Sequence, residues 1–141
     1  MPRTRRLGLA VAAVPLVAAL SGCSVVAAFT PHVEPAIYDT VKDYKAASHP
    51  TVAAPSFMPD DATVIRIDYD TQTGEAIMTY ASAKQLAPKV CTKVTTAPKP
   101  TIQDSWWPTT GIPEKVSLCP GNWSVFAIGS QLYAARPATR K

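Results

Sequence analysis

The chain has 141 residues, of which 47% are hydrophobic, 14 are proline and 3 are cysteine, and its formal net charge is +4. This length allows one domain, and the apolar fraction is ordinary for a globular protein. Without residues 1–22, which contain three arginines and no acid, the chain carries 11 basic and 10 acidic side chains. We expect no nucleic-acid partner, because such binding needs a concentrated positive surface.

The first 22 residues have the layout of a secretory signal peptide. Three arginines within the first six residues precede an uncharged apolar run over residues 7–20. The sequence LSGC over residues 20–23 matches the lipobox at all four positions, so this N-terminus resembles the signal of bacterial lipoproteins. The resemblance implies cleavage after Gly22, a diacylglycerol and fatty acid such as palmitate on Cys23, and a mature protein held on the outer face of the cytoplasmic membrane.

Two other interpretations of the N-terminus remain open. Residues 7–29 carry no charge and are long enough for an uncleaved membrane helix, which needs about 20 apolar residues, although Pro15 and the polar residues 21–24 interrupt them. A plain secreted protein is the second alternative. Both membrane-bound interpretations keep the arginines inside and place everything after residue 30 outside the membrane.

Residues 23–59 are rich in proline and are predicted to be a spacer with a short helix over residues 35–48. Ile37, Val41 and Tyr44 recur at spacings of four and three, which is typical of one helix face, and Pro35 suits a first helical turn. If the helix docks on the domain, Val41 and Tyr44 belong to the core. Otherwise the segment is a stalk.

The segment TVIRIDY over residues 63–69 has the alternation of a strand. Its pattern places Ile65, Ile67 and Tyr69 on one face, and Arg66 and Asp68 on the other. The segment EAIMTY over residues 75–80 is a second strand. Asp70 and Gly74 lie between the two and favour a turn, so the pair predicts a β-hairpin.

A second hairpin is predicted from WSVFAI over residues 123–128 and QLYAAR over residues 131–136, with Gly129-Ser130 as a type II′ turn. The predicted fold is α+β or mainly β: a small antiparallel sheet of two β-hairpins, one disulfide and a short N-terminal helix. One face is packed and the other is partly covered by loops. The globular domain is expected over residues 60–137, with a tail over residues 138–141.

Cys91 and Cys119 are the cysteines that remain once Cys23 carries lipid, and we expect them to form a disulfide outside the membrane. Closing a loop of this length stabilises a fold by about 3.5 kcal/mol in the chain-entropy model. Two buried free thiols are the alternative. Between the hairpins, a short helix over residues 82–90 is predicted, although Pro88 limits it.

The sequence contains no recognised catalytic or metal motif, and no cofactor is expected. There is no C-x-x-C, and His32 and His49 have no zinc-ligand spacing. Asp68 and Asp70 resemble the start of a calcium loop, but the glycine and glutamate that an EF-hand requires are absent from their positions. A hairpin turn explains these residues without a metal.

Trp106-Trp107-Pro108 supports two interpretations. Adjacent aromatic residues pack small cores, and they also form recognition surfaces for a peptide, a glycan or a partner protein. Trp107 precedes a proline and is biased toward extended backbone. If the segment turns helically, Trp106 shares a face with Ile102. We therefore predict that Trp106 is buried and Trp107 is exposed.

The lipobox, the spacer, PDDAT over residues 59–63, WWP and the terminal hairpin together resemble small lipoproteins of high-GC Gram-positive bacteria. The resemblance implies a compartment and carries no catalytic residues. We predict a membrane-tethered, non-enzymatic binding or accessory module of the cell envelope. The alternative is a small envelope enzyme, which a deep pocket lined by Asp68, Arg66 or lysines would favour. A shallow surface with aromatic residues at its rim would favour the binding module.

Overall fold

A computed structural model describes residues 32–47 and 51–139. Within these ranges the chain forms one seven-stranded antiparallel sheet and one helix of six residues. The elements, in chain order, are β1 Val33–Thr40, α1 Val41–Ala46, β2 Thr63–Asp70, β3 Ala76–Ala81, β4 Lys93–Thr96, β5 Lys115–Cys119, β6 Trp123–Ile128 and β7 Gln131–Arg136. The predicted mainly β class with little helix is confirmed.

The strand order across the sheet is β1-β2-β3-β7-β6-β5-β4. Two meanders therefore meet where β3 pairs with β7, with Thr79 opposite Tyr133. Strands β2, β3, β6 and β7 agree with the predicted segments to within one residue at each end. A sheet of two hairpins is not confirmed as its description, because β1, β4 and β5 also belong to it.

Residues 33–46, within the predicted spacer, form part of the sheet and its core, as expected if this segment docks on the domain. β1 pairs with β2 and places Ile37 opposite Arg66. Pro35 therefore lies in an edge strand, where its missing N–H costs no ladder bond when that side faces solvent. The helix begins only at Val41, and the hydroxyl of Thr40 caps it by accepting from the N–H of Asp43 at 3.2 Å.

The first face of the sheet is covered by α1 and residues 51–62, which together form the N-terminal cover. The sheet contributes the predicted inward-facing side chains of β2, Ile65, Ile67 and Tyr69. Tyr44 of α1 is 1% exposed, and its hydroxyl donates to the carbonyl of Val52 at 2.9 Å. The N-terminal cover is thus an integral part of the core.

The second face is covered in part by residues 97–114, the covering loop. Ile102 and Trp107 of this loop pack on Ile77 and Phe126 of the sheet. The base of the loop is closed by a backbone hydrogen bond of 3.0 Å from Ala97 to Glu114. Both faces of the sheet are therefore apolar, and each is covered by irregular chain.

A disulfide joins Cys91 to Cys119, as predicted. Cys119 is the last residue of β5, and Cys91 lies two residues before the edge strand β4. The bond therefore holds the four-residue edge strand to its neighbour, at the end of the β4–β5 pair opposite to the covering loop, which joins Thr96 to Lys115.

The predicted helix over residues 82–90 is wrong. Gln85 and Lys89 both have a positive φ, at 61° and 60°, and the segment consists of bends and turns. A left-handed residue interrupts the helical ladder, so two of them four residues apart leave no room for a helix.

Within residues 32–47 and 51–139, no helix is long and apolar enough to cross a membrane. The predicted signal peptide, the lipidated Cys23 and His49 lie outside the described residues.

Removal of the Tyr44 side chain should show that the N-terminal cover belongs to the core. Tyr44→Ala is expected to lower the free energy of unfolding by about 3–5 kcal/mol, as truncation of buried aromatic residues does. Tyr44→Phe removes only the hydroxyl that donates to Val52, and should cost about 1–2 kcal/mol. Urea unfolding of both variants measures the difference. An unchanged stability in Tyr44→Ala would restore the stalk interpretation.

Candidate functional site

A groove runs along β3 on the second face, beyond the edge of the covering loop. Thr79 of β3 lies opposite Arg66 of β2 on one side and Tyr133 of β7 on the other. Side chains directly opposite each other in an antiparallel sheet point to the same face. The short Thr79 is therefore a floor between two long side chains, and the indole of Trp106 lies at one end. We call this feature the β3 groove.

The wall on the β7 side is a packed aromatic cluster. The ring of Tyr133 stacks on Phe126 with 5.6 Å between centroids and 19° between planes. Trp107 lies nearly perpendicular to both rings, with its centroid 6.0 Å from that of Tyr133 and 5.8 Å from that of Phe126. Phe126 of β6 stacks on one face of Tyr133, and Thr79 of β3 lies on the other side of β7, so the opposite face of Tyr133 borders the groove.

The predicted burial of the two adjacent tryptophans is wrong, because the buried residue is Trp107 and the more exposed residue is Trp106. Trp107 is 5% exposed and packs in the second core, whereas Trp106 is half-buried and lines the groove. The cause is a tight turn in which the N–H of Trp107 donates to the carbonyl of Asp104 at 3.0 Å. This turn, rather than a helix from Ile102, directs Trp107 to the sheet and Trp106 to the rim.

The polar groups of the groove walls have no partners within the described residues. This applies to the guanidinium of Arg66, the indole N–H of Trp106 and the hydroxyl of Tyr133. The amide of Gln131 donates to the hydroxyl of Thr79 at 2.8 Å, and that hydroxyl in turn donates to the carbonyl of Leu132 at 2.8 Å. The floor is therefore fixed, and the unused donors lie along the walls.

Val64, beside Arg66 on the β2 side of the groove, has a strained backbone. Its φ is 51°, in the left-handed region that β-branched residues rarely adopt, and the β2–β3 register shifts between Thr63 and Arg66. Such a conformation costs about 1–3 kcal/mol and is concentrated at functional sites. As a result, the Val64 side chain is 54% exposed at the groove rather than packed.

The groove has a volume of about 310 Å³, at the small end of the roughly 300–1,000 Å³ typical of ligand sites. A second shallow cavity of about 400 Å³ continues from it, lined by Thr63, Ala81 and Ser130, with Asp61 and Ser82 at its end. Thr63 and Ser130 directly precede Val64 and Gln131 of the groove along the chain. The two cavities therefore form one trough that is closed by Trp106 and open at the other end.

A carboxyl pair lies under the covering loop, next to the groove. Asp68 is 5% exposed, and its carboxyl group shares a hydrogen bond with that of Asp104. Burial, this hydrogen bond and the charge of Asp104 raise the pKa of Asp68 to about 7. The pKa of Asp104 is lowered: partial burial acts to raise it, but hydrogen bonds from Ser105 and Asp68 outweigh that. Asp68 is thus the protonated donor.

Another cavity, of about 420 Å³, lies under residues 95–101 of the chain. Its acidic residue, Glu75, is buried and accepts hydrogen bonds from the backbone N–H and the hydroxyl of Thr101. These bonds hold the covering loop to the sheet. Within residues 32–47 and 51–139, no group of three or more His, Cys, Asp or Glu residues is placed to hold a metal ion.

Sequence reasoning identified one wall of the groove and missed the other. The pair Trp106-Trp107 and the outward-facing Arg66 were recognised, but Tyr133 and Thr79 were not. Thr79 lies opposite Arg66 within the predicted β2–β3 hairpin, but Tyr133 joins them only because β3 pairs with β7, a contact between distant segments. The signal that points to them is the outward-facing position of each residue in its predicted strand.

Truncating each tryptophan in turn should distinguish the residue that packs in the core from the residue that lines the groove. Trp107→Ala is expected to lower the free energy of unfolding by about 3–5 kcal/mol, since it removes the centre of the aromatic cluster. Trp106→Ala removes a half-buried side chain and should cost roughly 1–2 kcal/mol. Chemical denaturation of the two variants decides the assignment, and equal losses would contradict it.

The carboxyl pair predicts a decrease in stability between pH 5 and pH 8. A raised pKa of about 7 in the folded state means that Asp68 stabilises the fold while protonated, and this contribution is lost as the pH rises through 7. The lowered pKa of Asp104 acts at acidic pH, outside this window. In Asp68→Asn the amide still donates to Asp104 and does not ionise, so the melting temperature should no longer fall over this range.

Asp70→Asn is the matched control, since the pKa of Asp70 is lowered by hydrogen bonds from Thr73 and Gln72, against a weaker effect of burial. This variant should keep the wild-type decrease between pH 5 and pH 8. A decrease that persists in Asp68→Asn would place the titrating group elsewhere.

Comparison with known proteins assigns no family to the chain. No protein-family model, no curated protein and no solved structure matches it. No residue roles can therefore be carried over from a relative, and the functional argument depends on the groove and its side chains.

Proposed function

We propose that the protein is a non-enzymatic binding module of the bacterial cell envelope, tethered by lipid on Cys23, and that the β3 groove is its binding site. The observation that carries the binding proposal is the set of unpartnered groups along the groove, the guanidinium of Arg66 and the polar atoms of Trp106 and Tyr133. The tether rests on the lipobox at residues 20–23.

The groove has the character of a recognition surface. Its walls combine aromatic area with unused hydrogen-bond donors, which is the composition enriched in interface hot spots. Its floor is rigid, since Thr79 is hydrogen-bonded to both Gln131 and Leu132. Val64 holds a strained conformation that exposes its side chain there. A rigid site with polar groups in place loses little entropy when it binds a ligand.

A small envelope enzyme is the second candidate, and the Asp68–Asp104 pair favours it. Two hydrogen-bonded carboxyl groups that share one proton act as acid and base in aspartic proteases. Asp68 is buried under the covering loop, however, and neither carboxyl group lines the β3 groove. Asp104→Asn separates the candidates: the enzyme loses turnover of a bound ligand, whereas the binding module keeps its ligand, unchanged in affinity and chemistry.

Site-specific photocrosslinking in intact cells tests the proposal. The photoreactive residue p-benzoylphenylalanine at position 64, an exposed position of the groove wall, should form an adduct with an envelope component. The same residue at Val94 is the matched control, because Val94 is also an exposed valine but lies on the edge strand β4, outside the groove. Equal yields at both positions, or no adduct at either, would overturn the groove as the binding site.

The tether is tested in the same cells with an alkyne fatty acid. Wild-type protein should carry the label and Cys23→Ala should not. Label that persists in Cys23→Ala would contradict the lipid anchor and leave the groove result unaffected.

A further inference from the structure

We propose that the β3 groove binds a linear saccharide chain that carries anionic groups, carboxylate or phosphate. This inference rests on the proposed binding function and names the class of its ligand. Three features carry it: the spacing of the groove walls, the chemistry of the open end, and the unpaired charge of Arg66.

The groove is wide enough for one flat ring beside Tyr133. Arg66 and Tyr133 flank β3, so their Cα atoms are two strand spacings apart, roughly 10 Å. A ring that packs on the free face of Tyr133 at about 3.5–4 Å leaves a similar distance to the guanidinium. A sugar ring fits this slot, because its C–H face packs on an aromatic ring while its substituents reach polar groups at the rim. Trp106 presents a second aromatic surface at the closed end.

The side chains that line the rest of the trough suit a chain of sugars rather than a peptide. Its open end presents the hydroxyl-bearing residues Thr63, Ser82 and Ser130, and no large apolar side chain. The backbone of β3 is hydrogen-bonded to β2 and to β7, so no free strand edge is available for an extended peptide. Hydroxyl groups along an open trough match the hydroxyls of successive sugar units.

Arg66 requires an anion on the ligand. Asp68, the nearest acid on its own strand, is hydrogen-bonded to Asp104 under the covering loop. Asp61, at the far end of the trough, accepts hydrogen bonds from Ser82 and the backbone N–H groups of Ala83 and Lys84. Within the described residues Arg66 has no ion pair or hydrogen bond. A guanidinium with all its donors unused matches the planar carboxylate or the phosphate of an acidic saccharide.

Calorimetric titration of the mature lipidated protein in detergent micelles tests the inference. The probes are a hexamer of galacturonic acid, the same hexamer as its methyl ester, and a mannose oligomer that carries phosphate. At least one acidic probe should bind about tenfold or more tightly than the methyl ester, since hydrogen bonds to charged groups are worth that factor. Comparison of the two acidic probes distinguishes carboxylate from phosphate as the preferred group.

Arg66→Gln should remove the preference for the acidic probe without unfolding the domain, because Arg66 is exposed and makes no hydrogen bond or ion pair with the described part of the chain. The matched control is Lys42→Gln, which removes one exposed positive charge from α1 on the opposite face. Trp106→Ala should abolish binding of every probe.

Each outcome decides a different part of the proposal. If neither acidic probe binds more tightly than the methyl ester, the anionic requirement is overturned, and a preference that persists in Arg66→Gln overturns the role of Arg66. No binding of any probe would overturn the saccharide ligand. Neither result affects the photocrosslinking test at position 64, so failure of this inference is distinguishable from failure of the binding function.

Discussion

Both faces of the single antiparallel sheet carry apolar side chains, so both must be shielded from solvent. This chain shields them mainly with irregular segments. Irregular backbone brings N–H and C=O groups that need partners once they are buried. Two charged side chains supply such hydrogen-bond partners. Glu75 accepts from Thr101 of the covering loop, and Arg136 donates to the carbonyls of Thr51 and Gly74 while its guanidinium lies 5.2 Å from the ring of Trp123. Buried polar groups here hold the covers in place, so the two cores depend on them.

The candidate site exists because the covering loop does not extend over the whole second face of the sheet. The covering loop is tied by the hydrogen bonds from Thr101 to Glu75 and by the Ala97–Glu114 hydrogen bond at its base. Its apolar contacts reach Ile77 at one end of β3 and end at the rim with Trp106. Beyond that point β3 presents only the small side chains of Thr79 and Ala81 to the second face, which is left open. The groove is therefore the part of an apolar sheet face that the covering loop does not cover.

Strands and turns could be predicted from local sequence patterns, whereas the pairing between distant segments could not. Strands β2, β3, β6 and β7 were predictable because their alternation is bounded by turn residues. In the turn after β2, Asp70 accepts from the N–H groups of Gln72 and Thr73, and Gly74 has a φ of 75°. β1 was mistaken for helix because Ile37 is a 67% exposed edge residue that happens to lie at helical spacing from α1. β4 and β5 are too short to show a period. The groove depends on the β3–β7 pairing, which no local pattern contains.

The two ends of the described chain meet at one pole of the sheet. The carbonyl of His32 accepts from the N–H of Thr71, and the N–H of Thr139 donates to the carbonyl of Thr73, so both ends are held by the turn after β2. The open end of the trough lies at the other pole, beside the first residue of β2, and the eight residues of that strand span roughly 26 Å. With the lipid proposed at Cys23, the pole that holds the two ends of the described chain would be the one nearer the membrane. The mouth of the trough would then face outward, toward the wall and the medium, where long polymers could thread into it without approaching the lipid headgroups.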